Sequence, residues 1–212
     1  MNMKEFPKAF FITGTDTDVG KTIVSAILSK GLGAAYWKPI QSGLEGETDT
    51  ERVQSLTGLP AHHFFKEAYR LHKPLSPHLA AKEDGVRISL EAINFPQNMK
   101  NFKHLIVEGA GGLMAPLNER HFMMDLIEKL SIPVLLVSRS GLGTINHTLL
   151  SIEKIRKHSL SLLGVVMNGP LNRGNREAII HFGKTEVLAE IEPINSLNAE
   201  NLSAIFHRCF KC

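Results

Sequence analysis

The stretch that decides the fold is Thr13-Gly14-Thr15-Asp16-Thr17-Asp18-Val19-Gly20-Lys21-Thr22. It follows the apolar run Ala9 to Thr13, which predicts a buried strand, and it leads into Thr22 to Lys30, whose apolar spacing predicts a helix. A glycine-rich loop between a strand and a helix surrounds phosphate oxygens with backbone N–H groups and the positive end of the helix dipole. The sequence therefore predicts a nucleotide-binding loop formed by Asp18, Val19, Gly20, Lys21, Thr22 and Ile23.

Two side chains of this loop are predicted to take part in the reaction or in metal binding. Lys21 supplies a mobile cation for the phosphates and is predicted to be catalytic, while the Thr22 hydroxyl is predicted to bind magnesium. The common form of the loop has a glycine where this chain has Thr15, and Gly14 lies one residue earlier. A glycine turn without a ligand is the alternative, but the Gly-Lys-Thr sequence between strand and helix favours phosphate binding.

The rest of the chain repeats the alternation of strand and helix. Parallel strands joined by crossover helices form an open sheet that is covered on both faces. We therefore expect an α/β fold with a single doubly wound, mostly parallel sheet, in one domain over residues 1–212, and an irregular crossover from Gly43 to Phe102 that contains short helices. The further strands are predicted at Ala34 to Trp37, His104 to Val107, Pro133 to Ser138 and Leu162 to Met167, and the further helices at Met123 to Leu130, Asn146 to Lys157 and Asn175 to Phe182.

Composition excludes some classes of function. The chain has 24 basic and 21 acidic residues, and the basic ones are scattered, so nothing favours nucleic-acid binding. No apolar run approaches the roughly 20 residues of a membrane-spanning helix, and the N-terminus passes straight into a strand pattern, which predicts a cytoplasmic protein. Cys209 and Cys212 are expected to lie in a frayed tail without a functional role.

The second predicted strand is followed by Lys38-Pro39-Ile40-Gln41-Ser42-Gly43. In such a sheet ligands bind beyond the carboxyl ends of the strands, so Lys38 is predicted to face the phosphates and to be catalytic. An ordinary surface lysine is the alternative. Together with Gly14-Thr15-Asp16-Thr17-x-Val19-Gly20-Lys21-Thr22, this segment resembles the dethiobiotin synthetase family, which has the P-loop NTPase fold and uses this extended form of the glycine loop.

The resemblance implies a reaction and its reactants. Members of the family convert 7,8-diaminononanoate and CO2 to dethiobiotin with ATP and Mg²⁺, through a carbamate and a carbamic-phosphoric anhydride. The resemblance also implies that Lys38 stabilises the carbamate and that Lys21 stabilises the γ-phosphate. Groups expected to orient the diamine and the carbamate are Thr17, Ser42 and the backbone near Gly111 and Gly112.

A third segment, Leu105-Ile106-Val107-Glu108-Gly109-Ala110-Gly111-Gly112, places a carboxylate and small residues at the end of a strand. A carboxylate there is suited to the nucleotide's metal, and the glycines allow close approach of a ligand to the backbone. In agreement, the family binds nucleotide with Glu108, Gly109, Ala110 and Gly111, and magnesium with Glu108. The resemblance also makes Asp49 a nucleotide and metal ligand, with Glu47 and Glu51 as rivals.

Two later segments complete the predicted site. The family's Leu-Gly-x-Ile-Asn-His segment corresponds to Leu142, Gly143 and Asn146, and it implies that these residues bind the substrate's carboxylate across a homodimer interface; simple capping of a helix by Thr144 is the alternative. Asn168 and Gly169 are expected to contact the base. Because the chain departs from the family's base-binding pattern beyond Asn168, we expect only modest discrimination of ATP from GTP or CTP.

Other proteins share parts of this pattern. A ligase of the cobyrinate type would use the same glycine loop and the segment around Glu108, but such ligases usually carry an added glutaminase domain with a nucleophilic cysteine. A ParA-like regulatory ATPase would use the same phosphate cradle. Neither Cys209 nor Cys212 suits the role of that nucleophile, and the Lys38 to Gly43 segment favours a small-molecule site over the partner-facing surface of a regulatory ATPase.

Overall fold

A computed structural model describes residues 6–194 and 196–210, and its principal element is a seven-stranded parallel sheet. Along the sheet the strands run in the order β4 (Phe64–Phe65), β2 (Ala35–Trp37), β6 (Leu105–Gly112), β1 (Ala9–Gly14), β7 (Val134–Arg139), β8 (Leu162–Asn168) and β9 (Val187–Ile191). The helices that connect them are α1 (Lys21–Leu32), α4 (Met123–Leu130), α5 (Thr144–Lys157) and α6 (Arg173–Gly183). The predicted α/β fold with a parallel sheet is confirmed.

The central strand β1 is buried on both faces. Phe10 and Ile12 pack into one apolar cluster with α1, whereas Phe11 packs into a second cluster with α4. Since β1 pairs with β6 on one side and with β7 on the other, the loops that follow these three strands meet at one edge of the sheet. In open α/β sheets ligands bind beyond the carboxyl ends of the strands, which is this edge.

The predicted irregular crossover and the segment directly before it contain short strands as well as helices. β3 (Ile40–Ser42) and β5 (Tyr69–Leu71) form a small parallel sheet of their own, next to α2 (Asp49–Thr57) and α3 (Pro77–Glu83). The strands were not predicted because each has only three residues, which is too short for a periodicity in sequence. Pairing of β3 with β5 fixes the chain directly after Lys38.

The C-terminal part is more ordered than predicted. β9 and α7 (Ala199–Cys209) were missed, and the expected frayed tail is wrong for Cys209, which ends α7 and packs against the cluster that contains α1. Cys212 lies outside the described residues. Gly31 explains how α7 approaches α1: a Cβ atom there would lie 2.0 Å from Cγ of Phe206.

No described helix is long and apolar enough to cross a membrane.

Candidate active site

The glycine loop between β1 and α1 adopts a conformation that its sequence requires. Gly20, directly before α1, has a φ of 95°, and a Cβ atom there would lie 2.1 Å from Nδ2 of Asn168. Only glycine satisfies both the backbone and the close contact. Helix α1 has no side-chain cap at this end, so its first N–H groups are left for a ligand, as a phosphate site requires.

Lys21 lies almost fully buried beneath the loop, and its Nζ donates a hydrogen bond to the Asp16 carbonyl oxygen at 3.0 Å. Burial lowers the pKa of Lys21, and the nearby Lys38 lowers it further, while the carboxylates of Glu108 and Asp49 oppose the shift. A bound anion that replaced the Asp16 carbonyl oxygen as the partner of Lys21 Nζ would offset the free energy lost by burying the lysine's charge.

Three oxygen-bearing side chains converge beside Lys21. The Thr22 hydroxyl lies 2.6 Å from Asp49 Oδ1 and 2.9 Å from Glu108 Oε1. A hydroxyl has one proton, so Thr22 donates to one carboxylate at a time. These hard oxygen ligands come from the start of α1, the start of α2 and β6, and they are the kind that Mg²⁺ prefers. The donor set therefore fits the predicted magnesium site.

Lys38 bridges the same two carboxylates. Its Nζ lies 2.8 Å from Asp49 Oδ2 and 3.1 Å from Glu108 Oε1, and its side chain is 5% exposed. Burial alone would lower the pKa of Lys38, but the two carboxylates outweigh burial and raise it. The pKa of Asp49 is lowered because Lys38 and the Thr22 hydroxyl overcome its own burial. Lys38 thus remains a cation.

Tyr36, which the sequence analysis did not select, holds the other oxygen of Glu108. Its hydroxyl donates a hydrogen bond to Glu108 Oε2 at 3.0 Å. Burial, followed by the charge of Glu108, raises the pKa of Tyr36 well above its ordinary value, so the phenol keeps its proton. With Tyr36 on Oε2, and with Thr22 and Lys38 on Oε1, the Glu108 carboxylate is held in one orientation.

The structure separates Asp49 from its two rivals. Glu51 accepts hydrogen bonds from the Thr48 backbone and hydroxyl in a capping box at the start of α2, and Glu47 pairs with Arg52 on the surface. Asp49 alone of the three contacts Thr22 and Lys38. The same capping box fixes the helix that presents Asp49.

These groups line one cavity of about 970 Å³. The predicted residues that line it are Thr17, Asp18, Gly20, Lys21, Thr22, Lys38, Ser42, Asp49, Glu108, Ala110, Gly111 and Gly112. Two lining hydroxyls, those of Thr15 and Ser42, are buried and lack a hydrogen-bond partner within the described residues. Buried polar atoms are usually paired, so both hydroxyls are suited to contact a bound ligand.

Several predicted nucleotide-binding residues lie outside the cavity. Val19 and Ile23 pack into the core, and a Cβ atom at Gly109 would lie 2.7 Å from the Phe11 ring, so this glycine is explained by packing. Asn168 donates from Nδ2 to the Val19 carbonyl oxygen at 3.0 Å, which ties the end of β8 to the glycine loop. Gly169, at a φ of 131°, donates its N–H to the Ile191 carbonyl oxygen.

The predicted carboxylate-binding residues are also apart from the cavity in the single chain. Leu142, Gly143 and Asn146 are exposed at the start of α5. Capping by Thr144 is wrong: Gly143 precedes the helix without a side-chain cap, and the Thr144 hydroxyl instead donates to the Arg139 carbonyl oxygen. The start of α5 therefore has no side-chain cap, and none of these three residues lines the cavity of its own chain.

Sequence reasoning missed one wall of the cavity. It is formed by Leu113, Met114 and Ala115 after β6, and by Leu150, Ser151 and Lys154 on α5. The apolar spacing of α5 marks only its buried face, which contains Thr148, Ile152 and Ile155. Residues on the flank of a helix carry no comparable signal in one sequence.

Comparisons with known proteins show the family of the chain. A family model described as an AAA domain matches residues 8–201. The ATP-dependent dethiobiotin synthetase of Paramagnetospirillum magneticum is 49% identical over 205 residues, which cover 97% of this chain and 98% of that protein. The corresponding protein of Rhodopseudomonas palustris is 44% identical over 199 residues, which cover 94% of both chains.

Solved structures resemble the chain in fold. The septum site-determining protein MinD of Pyrococcus horikoshii, complexed with Mg-ADP, matches with a TM-score of 0.55 and 14% identity, covering 95% of both chains. A ParA family ATPase from Chlorobium tepidum matches with a TM-score of 0.55 and 9% identity, covering 95% of this chain and 98% of that one. At such identities the likeness concerns the fold alone.

Proposed function

Since the chain belongs to the family described as an AAA domain and to the ATP-dependent dethiobiotin synthetases, we propose that it converts 7,8-diaminononanoate and CO2 to dethiobiotin at the expense of ATP, in biotin biosynthesis. The observation that carries the proposal is the cluster of Lys38, Asp49, Glu108 and Thr22 beside the glycine loop. The MinD and ParA resemblance concerns the fold alone, whereas identity of 44–49% over nearly the whole chain lies with the synthetases.

The reaction joins two anions, and the site has cations where they must meet. An amine of the substrate adds to CO2, and the resulting carbamate oxygen attacks the γ-phosphorus as ADP leaves. The second amine then attacks the carbamate carbon, phosphate leaves, and the ureido ring closes. Each step depends on alignment and on cancelling negative charge, which are the main sources of catalysis in phosphoryl transfer.

Each proposed role follows from a position in the cavity. Lys21 stabilises the γ-phosphate from beneath the glycine loop, and Lys38 stabilises the carbamate from the end of β2. Magnesium, when bound, neutralises charge on the nucleotide's phosphates, and the ligands proposed for it are Thr22, Asp49 and Glu108. Groups proposed to orient the diamine and the carbamate are Thr17, Ser42 and the backbone of Gly111 and Gly112.

The glycines after Glu108 support close approach of the two loops. A Cβ atom at Gly112 would lie 3.1 Å from the Gly14 carbonyl oxygen, and Gly111 has a φ of 68°. Small residues let β6 end directly against the glycine loop, which brings both substrates within reach of one another. Because all of these groups line one cavity, we propose that residues 1–212 form a single catalytic domain.

A homodimer is part of the proposal. Leu75, Met114 and Leu150 are 44%, 48% and 57% exposed although they line the cavity, and apolar surface of this kind is typical of an interface. A second copy of the chain would cover it and would supply Leu142, Gly143 and Asn146 to the substrate's carboxylate. We also propose action in the cytoplasm, where ATP is available, without nucleic-acid or membrane partners.

The test is phosphate release from ATP with Mg²⁺ and bicarbonate, in the presence and absence of 7,8-diaminononanoate, with dethiobiotin identified by mass. The expected result is diamine-dependent release and an equal amount of dethiobiotin. Substituting GTP or CTP should lower the rate only modestly, since Asn168 is engaged with the glycine loop. Release that ignores the diamine would contradict the synthetase function and favour a regulatory ATPase.

A further inference from the structure

The glycine loop carries more negative than positive charge of its own. Between Gly14 and Thr22 it has two carboxylates, Asp16 and Asp18, and one cation, Lys21. All three of these charged residues line the cavity. A carboxylate beside a phosphate group repels it, so a loop of this composition binds a nucleotide better when a further cation from elsewhere in the chain neutralises one of the carboxylates.

Arg139, the last residue of β7, supplies such a cation to Asp16. Its Nη2 donates a hydrogen bond to Asp16 Oδ2 at 2.8 Å. The other carboxylate oxygen of Asp16 accepts a hydrogen bond from the Thr17 N–H at 2.7 Å, and the Asp16 carbonyl oxygen accepts one from Lys21 Nζ. Arg139 therefore holds the residue that in turn holds Lys21.

The glycine loop is held from the ends of two neighbouring strands. β7 and β8 pair with Arg139 opposite Asn168. Asn168 contacts the later part of the loop at the Val19 carbonyl oxygen, whereas Arg139 contacts its earlier part at Asp16. The backbone of Arg139 is itself fixed, because its carbonyl oxygen accepts a hydrogen bond from the Thr144 hydroxyl. Each half of the loop thus has one side-chain contact to the sheet.

We propose that Arg139 is a positioning residue for nucleotide binding, which neutralises the Asp16 carboxylate and keeps the glycine loop in the conformation that receives the phosphates. This inference rests on the proposed function, since the phosphates are those of ATP. Arg139 does not line the cavity, so it acts through Asp16 and Lys21. Bound phosphates themselves hold the loop, and the contribution of Arg139 therefore concerns nucleotide affinity more than turnover.

The experiment compares Arg139→Gln with the unsubstituted protein by calorimetric binding of Mg-ADP and by steady-state kinetics with ATP. The Kd for Mg-ADP and KM for ATP should rise about fivefold, the upper end for loss of an exposed ion pair, while kcat at saturating ATP falls much less. The difference should shrink at high ionic strength, because exposed charges are then screened. Arg139→Lys keeps the charge and should retain most of the affinity.

The double variant Arg139→Gln/Asp16→Asn separates the effect of charge from that of structure. Asparagine keeps an oxygen that accepts the Thr17 N–H, but it removes the charge that Arg139 neutralises. The double variant should therefore recover most of the nucleotide affinity that Arg139→Gln loses. If Arg139 only stabilised the fold, a second substitution in the same ion pair would recover nothing.

Arg52→Gln is the matched control. The side chains of Arg52 and Glu47 form an ion pair with exposures of 48% and 47%, close to the 47% and 51% of Arg139 and Asp16, and neither residue lines the cavity. This variant should leave the Kd for Mg-ADP and KM for ATP unchanged.

Two results would overturn the inference while the synthetase function stood: unchanged nucleotide affinity in Arg139→Gln, or no recovery in the double variant. Binding of Mg-ADP does not depend on the diamine. A protein that bound nucleotide as expected in all variants but formed no dethiobiotin would therefore contradict the proposed function alone, and the role of Arg139 in nucleotide binding would be supported.

Discussion

The phosphate end and the α5 wall face the same cavity, but they are built in opposite ways. The phosphate end, formed by Lys21, Thr22, Lys38, Asp49 and Glu108, consists of charged and polar groups that are buried and joined by short contacts. The α5 wall, formed by Leu150, Ser151 and Lys154, exposes apolar surface at Leu150 and has no ion pair among residues 6–194 and 196–210. The side chains of the first region hold one another in place, whereas the second region presents a largely exposed apolar side chain.

This difference separates two tasks. Charge stabilisation in phosphoryl transfer requires groups that are already in place, because reorganising them during the reaction would raise the barrier. Recognition of a flexible alkyl acid requires a surface that a ligand or another subunit can complete. We therefore expect substitutions at the phosphate end to lower turnover, and substitutions in the α5 wall to change substrate affinity and assembly.

The largest expected effect is that of Lys38→Gln. Removing the cation that we propose meets the carbamate should lower kcat about 100-fold or more, which is the magnitude seen when one charge-stabilising donor is removed from an active site. Nucleotide binding should remain nearly intact, since Lys21 and the glycine loop are unchanged. The measurements are steady-state turnover and calorimetric binding of the magnesium nucleotide.

A control is needed because Lys38 also neutralises the Asp49 and Glu108 carboxylates, so its removal could destabilise the folded protein. Breaking a buried ion pair costs about 3–5 kcal/mol when one partner is left behind, so folding of the variant must be checked by its thermal transition. Lys30→Gln, in the last turn of α1 and outside the cavity, should change neither quantity. Equal losses of turnover and nucleotide binding in Lys38→Gln would show that the role of Lys38 is structural.

The next largest effect is expected from Leu150→Asp. A charge placed in the proposed apolar dimer interface should weaken dimerisation about 30-fold or more, the scale of an interface hot spot. The sedimentation profile should shift towards monomer, and KM for the diamine should rise while nucleotide binding persists. Phe182→Asp, at an exposed apolar residue that does not line the cavity, is the control.

An unchanged oligomeric state in Leu150→Asp, with a raised KM for the diamine, would mean that this surface binds only substrate. A protein that is monomeric before substitution would contradict the proposed homodimer directly. Either result would leave the expectations for Lys38 untouched, because all of its contacts lie within one chain.

The phosphate end could be predicted from sequence because its parts are local. Lys21 and Thr22 belong to one continuous loop, and Lys38 and Glu108 each follow a buried strand at a position that the fold brings to the same edge. Asp49 was selected only through the family resemblance, since Glu47 and Glu51 are carboxylates in the same stretch of sequence and could bind a metal equally well. The structure distinguishes them through the capping box that engages Glu51.

What escaped prediction depends on contacts between distant segments. α7 is held by packing of Phe206 against Gly31, and a single sequence does not show that these two residues meet. Lys154 lies on a helix whose periodicity marks only its buried side. Tyr36, within the strand Ala35–Trp37, has the pattern of a core residue, and only its contact with Glu108 connects it to the site.

Tyr36 gives the smallest and most specific test of the organised phosphate end. Tyr36→Phe removes the hydroxyl that orients Glu108 without changing the packing of the ring. Loss of a group that positions a metal ligand typically weakens metal binding 10–100-fold, and we expect about tenfold, because Thr22 and Lys38 still hold the other carboxylate oxygen. The Mg²⁺ concentration for half-maximal turnover should rise accordingly.

Tyr69→Phe is the matched control, because the Tyr69 hydroxyl accepts a hydrogen bond from the Ser89 backbone and lines no part of the cavity. It should lower thermal stability slightly and leave the Mg²⁺ dependence unchanged. If Tyr36→Phe behaved in the same way, Glu108 would need no orienting partner, and the contrast between an organised phosphate end and an incomplete α5 wall would rest on Lys38 alone.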